Sequence, residues 1–418
     1  MLHHMQKSDI VIVGAGLVGT SLAVALQNQG LRIAILEHHL PQTTMHVPRD
    51  IRPITLSLGS HQILHTLGVW NDLVDEVCPV SIVHVSEQGV LGSVRFRADE
   101  LGVPALGYVV PFFRLQKILY QRATAQKDVE IIAMNQIKSI QCGYENAVVH
   151  YVTVDGETRQ LVADLLVGAD GTRSIVRQFL NIAAKEENKN EIALVALLEL
   201  EKPHHFTAYE RFTSRGILAV LPLFHRHYCR LVWTMSKVKA DEIEQWTDER
   251  FKEAVQIIFG HYLGNIKSAI RDKRYLLHLL LTKRQIQSHS ILIGNAAHTF
   301  YPFTAQGFNL GLRDVAVLSE VLTTAHREKK PLGDIHLLQN YERWCKTDQN
   351  LAAGLARGIS GWFGLQLPLI NRLRGLGLLA TELLFPFKKR LAKSAMGLVG
   401  RLPKLVRGLK LDDHDTVM

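Results

Sequence analysis

The first forty residues place a strand, a glycine-rich turn, a helix and a second strand in direct succession. Asp9–Val13 is an apolar strand pattern, Gly14–Gly30 reads as a helix with small residues on one face, and Leu31–Glu37 reads as the second strand. A βαβ unit of this kind makes the two strands parallel neighbours with a crossover helix on one face. The chain is therefore predicted to fold as an α/β protein around a parallel sheet.

The glycine spacing in the turn, Gly14-Ala15-Gly16-Leu17-Val18-Gly19, indicates a dinucleotide site. The first glycine allows the tight turn, the second lets the backbone approach a pyrophosphate, and the third lets the helix pack close to the strand. Glu37 ends the second strand, where a carboxylate bonds a ribose 2′-hydroxyl. This favours the adenosine of FAD or NAD over a nucleotide with a 2′-phosphate.

Two further glycine turns follow strands later in the chain. The first, Gly168-Ala169-Asp170-Gly171-Thr172-Arg173-Ser174, would be an ordinary Asp-Gly turn if it stood alone. The second runs from Gly294-Asn295-Ala296-Ala297-His298-Thr299 to Gln306-Gly307-Phe308-Asn309-Leu310-Gly311 and enters a helix near Gly307. Such a turn offers free N–H groups and a positive helix end. Three turns predict one large cofactor held along its length.

Composition limits the classes of protein to consider. With 418 residues, 47% of them hydrophobic and 21% charged, the chain can form two domains or one large discontinuous domain. The four cysteines contain no CxxC pair, which predicts a reduced compartment and no disulfide framework. The short polar N-terminus predicts no signal peptide, and no uncharged apolar run reaches the ~18 residues that a membrane-spanning helix needs.

The formal net charge of +9 is concentrated near the C-terminus. Between Arg372 and Lys410, Glu382 is the only acid among ten basic residues. Leu and Phe alternate with these cations, which favours a surface of anionic lipid or protein over a solvated tail. Nucleic-acid binding is not predicted, because no aromatic interleaving of the kind found in such proteins accompanies the basic residues.

The three motifs together resemble those of the FAD-dependent aromatic hydroxylases, the class A flavoprotein monooxygenases. GxGxxG, GADGxxSxVR and GNAAHxxxPxxxQGxNLGxxD follow one another in that order over about residues 9–350. More narrowly, Ser81–Ser86, Glu210–Thr213 and Ala305–Gly311 resemble the ubiquinone-biosynthesis branch, and within it the 2-polyprenyl-6-methoxyphenol hydroxylase type.

This resemblance implies a Rossmann-like FAD-binding domain of the para-hydroxybenzoate-hydroxylase type with an antiparallel β-sheet substrate domain. Residues 1–75, 101–180 and 276–357 are expected to form a discontinuous FAD-binding domain. Residues 76–100 and 181–275 are expected to form the substrate domain, and 358–418 a basic, amphipathic C-terminal region. Strand-like alternation from Ile192 to Trp233 agrees with a separate antiparallel sheet. Leu56–Leu67 is predicted to be a helix, and Asp155-Gly156 a hairpin turn between two strands.

The resemblance also implies which residues hold FAD. The first motif and Glu37 would bind the ADP half, Arg52 would lie near the flavin, and Arg114 would reach the middle of the cofactor. The central motif serves both FAD and NAD(P)H. The family commonly has Gly-Asp where this chain has Gly294-Asn295, and Asn keeps the hydrogen-bonding capacity without the charge. The implied cofactor-binding residues are Gly14, Gly16, Gly19, Glu37, Arg52, Arg114, Asp170, Gly171, Gly294, Asn295, Gln306, Gly307 and Asn309.

The helix that begins near Gly307 predicts where the reactive end of FAD lies. Its N–H groups and dipole would stabilise the negative charge of reduced flavin at N1 and the C2 carbonyl. In the implied reaction NAD(P)H reduces FAD and O₂ forms a C4a-hydroperoxide, which survives only where water is excluded. Phe300–Phe303 would make that side apolar, or would serve only as core. His298 is a candidate base, with structural hydrogen bonding as the alternative.

The predicted activity is hydroxylation of a polyprenylated phenol in ubiquinone biosynthesis. It would take place in the cytoplasm, with the protein peripheral on the inner face of the cytoplasmic membrane and other ubiquinone-biosynthesis proteins as candidate partners. The alternatives are another ring position or aromatic substrate, a reductase that inserts no oxygen, and a weakly FAD-binding assembly subunit. A halogenase is disfavoured because none of the five Trp residues forms a WxW element. No metal site is expected, since His225–Cys229 lies between two strands and predicts a polar hairpin turn.

Overall fold

The computed structural model describes residues 6–41, 53–187, 190–300, 307–364 and 377–413. The strands in these ranges are β1 (Gln6–Val13), β2 (Ile33–Glu37), β3 (Pro53–Ser57), β4 (Cys78–Val80), β5 (Ile82–Glu87), β6 (Ser93–Arg97), β7 (Gly107–Pro111), β8 (Val129–Cys142), β9 (Ala147–Thr153), β10 (Thr158–Gly168), β11 (Ala184–Glu187), β12 (Glu191–Leu200), β13 (Thr207–Thr213), β14 (Gly216–Pro222), β15 (Tyr228–Ser236), β16 (Ile266–Leu276), β17 (Leu279–Thr282), β18 (Ile286–Gln287), β19 (Ser290–Leu292) and β20 (His298–Thr299).

The helices, in the same ranges, are α1 (Leu17–Ala25), α2 (Leu58–Thr66), α3 (Ala98–Leu101), α4 (Phe112–Thr124), α5 (Ile175–Phe179), α6 (Lys237–Glu244), α7 (Asp248–Phe259), α8 (Gly307–Arg327), α9 (Ile335–Gly364), α10 (377–383) and α11 (Phe385–Ala395). Short 3-10 turns lie at Trp70–Asp72, Val74–Glu76, Gly294–Ala296 and Lys404–Arg407.

The main sheet has a parallel centre, as the opening βαβ unit predicts. β1 pairs in parallel with β2 and β10, β2 pairs in parallel with β8, and β10 pairs in parallel with β19. Ile10, Val11 and Ile12 in β1 have no exposed surface, because a central parallel strand is covered on both faces. β8, β9 and β10 continue as an antiparallel meander, with the predicted hairpin turn at Asp155-Gly156.

Two predicted helices are shorter in the structure. The crossover helix covers Leu17–Ala25 rather than Gly14–Gly30, because Gly14–Gly16 form the turn before it and Asn28 and Gly30 adopt positive φ after it. The helix predicted from Leu56 begins at Leu58, because the two preceding residues end β3. The Ser57 hydroxyl then accepts the N–H of Ser60 and caps the helix.

A second seven-stranded sheet runs in the order β16-β12-β15-β14-β13-β5-β6. It is antiparallel throughout the predicted Ile192–Trp233 segment, and β13 and β5 form its single parallel pair. The predicted hairpin at His225–Cys229 is present, since the N–H of Tyr228 bonds the His225 carbonyl between β14 and β15. α6 and α7 cover one face of this sheet, and the elements around the glycine motifs lie against the other.

The C-terminal residues 377–413, termed the clasp, contact both halves of the molecule. The N–H of Gly59 at the start of α2 bonds the Met396 carbonyl at 2.8 Å. The Lys388 ammonium in α11 pairs with Glu100 in α3 at 3.0 Å. Within the described ranges, none of the helices combines the length and apolar composition that crossing a bilayer requires.

Candidate functional site

The first glycine turn leaves the start of α1 open. A Cβ at Gly14, whose φ is 108°, would lie 2.6 Å from the Ala169 carbonyl oxygen, and one at Gly19 would lie 2.0 Å from the Gly14 carbonyl oxygen. Both positions exclude a side chain because another backbone segment passes too closely. At Gly16, the N-cap of α1, a Cβ would meet nothing within 4 Å. The open helix start and its free N–H groups fit the pyrophosphate of FAD.

Glu37 holds the same turn from the end of β2. Its Oε2 accepts the N–H of Ala15 at 2.6 Å and its Oε1 accepts the N–H of His39 at 2.8 Å. Each carboxylate oxygen keeps a lone pair for another donor. Glu37 thus lies beside the glycine turn, where the sequence predicts the ribose, and the ribose contact itself stays a prediction.

Asp170 caps α5. Its Oδ2 accepts the N–H groups of Ile175 at 2.6 Å and Val176 at 3.1 Å. Burial raises the pKa of the Asp170 carboxyl, although these hydrogen bonds act to lower it. Gly171 turns the chain at φ 81°, and a Cβ there would meet nothing within 4 Å. In these contacts the central motif holds the start of α5 in place. The predicted contact of Asp170 and Gly171 with the cofactor stays a prediction.

Arg177, to which the sequence pattern assigned no role, joins the central motif to the late one. Its buried guanidinium donates to the Ala296 carbonyl at 3.0 Å and to the Thr172 carbonyl at 2.9 Å. The hydroxyls of Thr172 and Thr299 lie 3.1 Å apart. The arginine could have been found from its place in GADGxxSxVR, at the end of the motif.

Val18 joins the first motif to the late one. A Cβ at Gly294 would lie 3.0 Å from the Val18 side chain, and one at Gly311 would lie 2.8 Å from it. α1 therefore packs on α8 and on the 3-10 turn at Gly294–Ala296 through positions that exclude larger residues. The structure thus brings the three glycine turns, 280 residues apart in sequence at their extremes, to one place.

Asp314 in α8 is the centre of a buried polar network. Its Oδ2 lies 2.6 Å from Nε2 of His298 and accepts the N–H of Gly294 at 2.9 Å, and its Oδ1 accepts Nε2–H of Gln349 at 3.2 Å. His298 and Asp314 are 0% and 1% exposed. This geometry favours structural hydrogen bonding as the role of His298 over that of a base. Asp314 ends the late motif, but the sequence alone gave it no task.

The start of α8 is open in the same way as that of α1. Among the residues that the structure describes, the one that a Cβ at Gly307 would meet is Asn295, whose Oδ1 lies 3.9 Å away. Asn309 turns its side chain away from this opening: Oδ1 accepts the N–H of Ser57 at 2.9 Å and Nδ2–H donates to the Thr55 carbonyl at 3.0 Å. Any contact of Asn309 with the cofactor would therefore use its backbone N–H.

The remaining predicted residues lie at the edges of the described structure. Arg114 in the first turn of α4 forms an ion pair with Glu76 at 2.6 Å and keeps about a third of its side chain exposed. Arg52, Gln306 and the segment 301–303 lie outside the described residues. Phe300, which borders that segment, is buried with Leu310 in a small apolar cluster.

Comparison with known proteins agrees with this arrangement. The profile of a family described as FAD binding domain matches residues 7–350. The chain is 30% identical over 407 residues to Ubiquinone hydroxylase UbiL of Rhodospirillum rubrum, covering 97% of this chain and 94% of that protein. It is 28% identical over 401 residues to 3-demethoxyubiquinol 3-hydroxylase of Escherichia coli strain K12, covering 94% and 99%.

The fold has solved counterparts. p-Nitrophenol 4-monooxygenase PnpA from Pseudomonas putida DLL-E4 matches with a TM-score of 0.77 over 95% of this chain and 100% of that chain, at 16% identity. At that identity the likeness concerns the fold alone. The predicted α/β fold of the para-hydroxybenzoate-hydroxylase type, with its antiparallel second sheet, is confirmed.

Proposed function

Because the chain belongs to the family of FAD-binding monooxygenases, we propose that it hydroxylates the ring of a polyprenylated phenol in ubiquinone biosynthesis. The protein is an FAD-dependent monooxygenase, and enzymes of this class take their electrons from NAD(P)H. The observation that carries the substrate class is the pair of full-length relatives whose names place them on ubiquinone intermediates. The meeting of the three glycine motifs at two open helix starts supports the same site in this chain.

FAD, when bound, supplies the activated oxygen, and the chain's own residues position and dry the site. The open start of α1 at Gly16 would take the pyrophosphate, and the N–H groups at the start of α8 would face the flavin and stabilise negative charge there. Phe300 and Leu310 would exclude water. Arg52, Arg114, Gln306 and the ribose contact of Glu37 complete the proposed FAD site.

We assign the ring position by resemblance to the 2-polyprenyl-6-methoxyphenol hydroxylase type. Deletion of the gene in its host should cause the 2-polyprenyl-6-methoxyphenol to accumulate, as measured by mass spectrometry of lipid extracts, and the purified enzyme should add one atom from ¹⁸O₂ to it. Accumulation of a precursor already hydroxylated at that position would reject the position, and NAD(P)H oxidation without label in any phenol would reject the hydroxylase.

A lipid-soluble substrate requires contact with a membrane, and the clasp presents a surface of the required chemistry. Leu383, Leu384 and Phe387 are 73%, 57% and 51% exposed where α10 meets α11. Lys389 and Arg390 follow on α11, are exposed, and form no ion pair with another described residue. Exposed apolar side chains beside unpaired cations suit the interface of an anionic bilayer. We propose that the enzyme works in the cytoplasm, bound there to the inner face of the membrane.

Sedimentation with vesicles tests this surface. Wild-type protein should bind phosphatidylcholine vesicles that contain phosphatidylglycerol, less so at high salt, and pure phosphatidylcholine weakly. Leu383→Ser with Phe387→Ser should abolish binding, whereas Ile257→Ser, at a 75% exposed position on α7, should not. Failure of the wild-type protein to bind the anionic vesicles would contradict a lipid surface. So would a double variant that still binds vesicles and differs from wild type only in its self-association, since the surface would then contact a second copy of the chain.

A further inference from the structure

The two faces of the second sheet differ in how tightly they are covered. Leu218, Val220, Leu231 and Trp233 point toward α6 and α7 and have no exposed surface. The alternate residues point toward the elements that carry the glycine motifs, since successive side chains of a strand lie on opposite faces. On that second face Val85, Ala219 and Val232 are only partly buried. One face is thus fully covered at these positions, and the other keeps accessible surface along Val85, Ala219 and Val232.

One row of side chains crosses this open face. Glu210 in β13 lies directly opposite Val85 of β5 and Ala219 of β14, and Ala219 lies opposite Val232 of β15. Residues directly opposite in paired strands share a face. Val232 packs on the apolar cluster that contains Phe300 and Leu310 of the late motif. Because neighbouring strands lie ~4.8 Å apart, Glu210 in β13 lies about 10 Å across the sheet from Val232 in β15.

The neighbouring residue on the same strand confirms which way Glu210 points. Ala208, two positions earlier and therefore on the same face, packs against Cys78, Val80 and Val109 of β4 and β7. Tyr209, which lies between Ala208 and Glu210, packs instead against Phe259 on the α7 side. Glu210 therefore lies on the face that packs against β4 and β7 and, through Val232, against the late motif.

Glu210 is a carboxyl group without a partner in an apolar row. It forms no hydrogen bond or ion pair with another described residue, and desolvation by burial raises its pKa to about 7. On either side of the row this face carries Glu87 in β5 and Arg230 in β15, and Arg230 pairs with Asp272 at 3.6 Å. Glu191 and Glu199 lie farther along the same face, in β12. From β4, Cys78 packs in the cluster that contains Ala208, on the same face. Glu210 keeps part of its surface accessible, so a ligand can reach it, and a carboxyl without a partner in an apolar row is a candidate for pairing with that ligand.

We propose that Glu210 receives the ring hydroxyl of the phenol and thereby positions the ring against the flavin site. This inference rests on the proposed function and names the polar contact within it. The carboxylate would accept the phenolic O–H hydrogen bond, while the valines and alanine of the row contact the ring. A hydrogen bond to a charged acceptor in an apolar site orients a ligand far more strictly than apolar contact does.

Binding of matched ligands tests the contact without turnover. The FAD-loaded protein, without NAD(P)H, is titrated with a prenylated phenol and with its methyl ether, and the dissociation constants are read from flavin fluorescence. Wild type should prefer the phenol about tenfold or more, which is the effect of one hydrogen bond to a charged group. The preference should shrink in Glu210→Gln and vanish in Glu210→Leu. Glu253→Gln, an exposed carboxylate on α7, should behave as wild type.

The pH dependence gives a second readout. Because a raised pKa keeps Glu210 protonated below about 7, the preference of wild type for the phenol should grow as the pH rises through that value, and in Glu210→Gln it should stay flat. FAD content and the unfolding midpoint should be unchanged or higher in Glu210→Leu, since a carboxyl without a partner has been removed from an apolar row.

The outcomes separate the two proposals. A wild-type enzyme that neither binds nor hydroxylates phenols would refute the proposed function. An enzyme that hydroxylates phenols while Glu210→Leu keeps the full preference for the phenol over the ether, or unfolds well below wild type, would refute only the role of Glu210 and leave it as a structural group.

Discussion

At the scale of single residues, Asp314 explains why a histidine occurs in the late motif. The carboxylate accepts the Gly294 N–H and lies against His298 and Gln349, all within the interior. The ring of His298 has no exposed surface and its Nε2 is used by this contact. A base must reach the substrate, so the buried ring suits a positioning role for the turn that faces the flavin site.

Replacing Asp314 by Asn should lower the free energy of unfolding by about 3 kcal/mol. The substitution leaves buried donors without the charged acceptor, which is the costly way to break such a network. Urea unfolding followed by circular dichroism measures the change. Asp155→Asn, in the exposed hairpin turn, makes the same chemical change and should stay within about 0.5 kcal/mol of wild type. Equal unfolding midpoints for both variants would contradict the network.

Asn295 is the position where the chain departs from the usual family pattern. Its side chain is exposed and its Oδ1 lies 3.9 Å from the Cβ position of Gly307, at the start of α8. The family commonly has Asp at this position, and a carboxylate keeps the oxygen acceptor that Asn offers. Asn295→Asp should therefore bind FAD as tightly as wild type or a few-fold more tightly, measured by titration of the apoprotein. FAD binding weakened tenfold in this variant would mean that the Asn itself is needed.

At the scale of elements, the start of α8 allows protein stability and cofactor binding to be separated. A Cβ at Gly307 meets no atom of the described part of the chain closer than 3.9 Å, so Gly307→Val should fold normally, while its side chain would occupy the space proposed for the flavin. FAD affinity should fall by at least about tenfold, as measured by titration of the apoprotein, with the unfolding midpoint unchanged.

Gly354→Val is the matched control, since Gly354 lies in α9 and a Cβ there also meets none of the described atoms within 4 Å. It should keep the FAD content of wild type. A Gly307→Val protein that is purified with a full complement of FAD would place the flavin elsewhere.

The sequence predicted the elements whose local pattern is decisive. The βαβ opening and the hairpin at Asp155-Gly156 are set by neighbouring residues, and both predictions are confirmed. The contacts that join distant segments were not predictable. Arg177 reaches Ala296 across 119 residues, and nothing in either segment alone indicates that pair. Glu210 was seen only as part of a family pattern, because its isolation depends on the pairing of β13 with β5 and β14.

At the scale of the whole molecule, the clasp connects the α2 region of the main half to the edge of the second sheet. Lys388 is 3% exposed and lies 3.0 Å from both Glu100 and Glu382, while Glu382 also accepts the Arg95 N–H at 2.8 Å. Leu58, Ala98, Leu106, Ala392 and Met396 form one apolar cluster behind this ion pair. Because it contacts both halves, the clasp holds the face with Glu210 at a fixed place relative to the glycine motifs.

Removing the charge of Lys388 should weaken the clasp in a pH-dependent way. Burial acts to lower the pKa of Lys388, but its two carboxylate partners raise it above the ordinary value. Burial acts to raise the pKa of Glu382, but the Arg95 N–H and Lys388 lower it below the ordinary value. An acid whose pKa is lowered stabilises the fold fully at pH values above its ordinary pKa, and this stabilisation is lost as the pH falls through the lowered pKa. A lysine whose pKa is raised stabilises the fold fully at pH values below its ordinary pKa, and this stabilisation is lost as the pH rises through the raised pKa.

The ion pair is therefore at full strength between about pH 4.5 and 10.5, the ordinary values of the two groups. Lys388→Met should lose about 1–2 kcal/mol at pH 7, a figure reduced for the screening of its partly exposed partners. The gap to wild type should close as the pH falls below the lowered pKa of Glu382, as seen in urea midpoints at a series of pH values. Lys389→Met, one residue along and exposed, should track wild type throughout. A gap that persists unchanged into acid would show that Lys388 acts through packing of its stem and not through its charge.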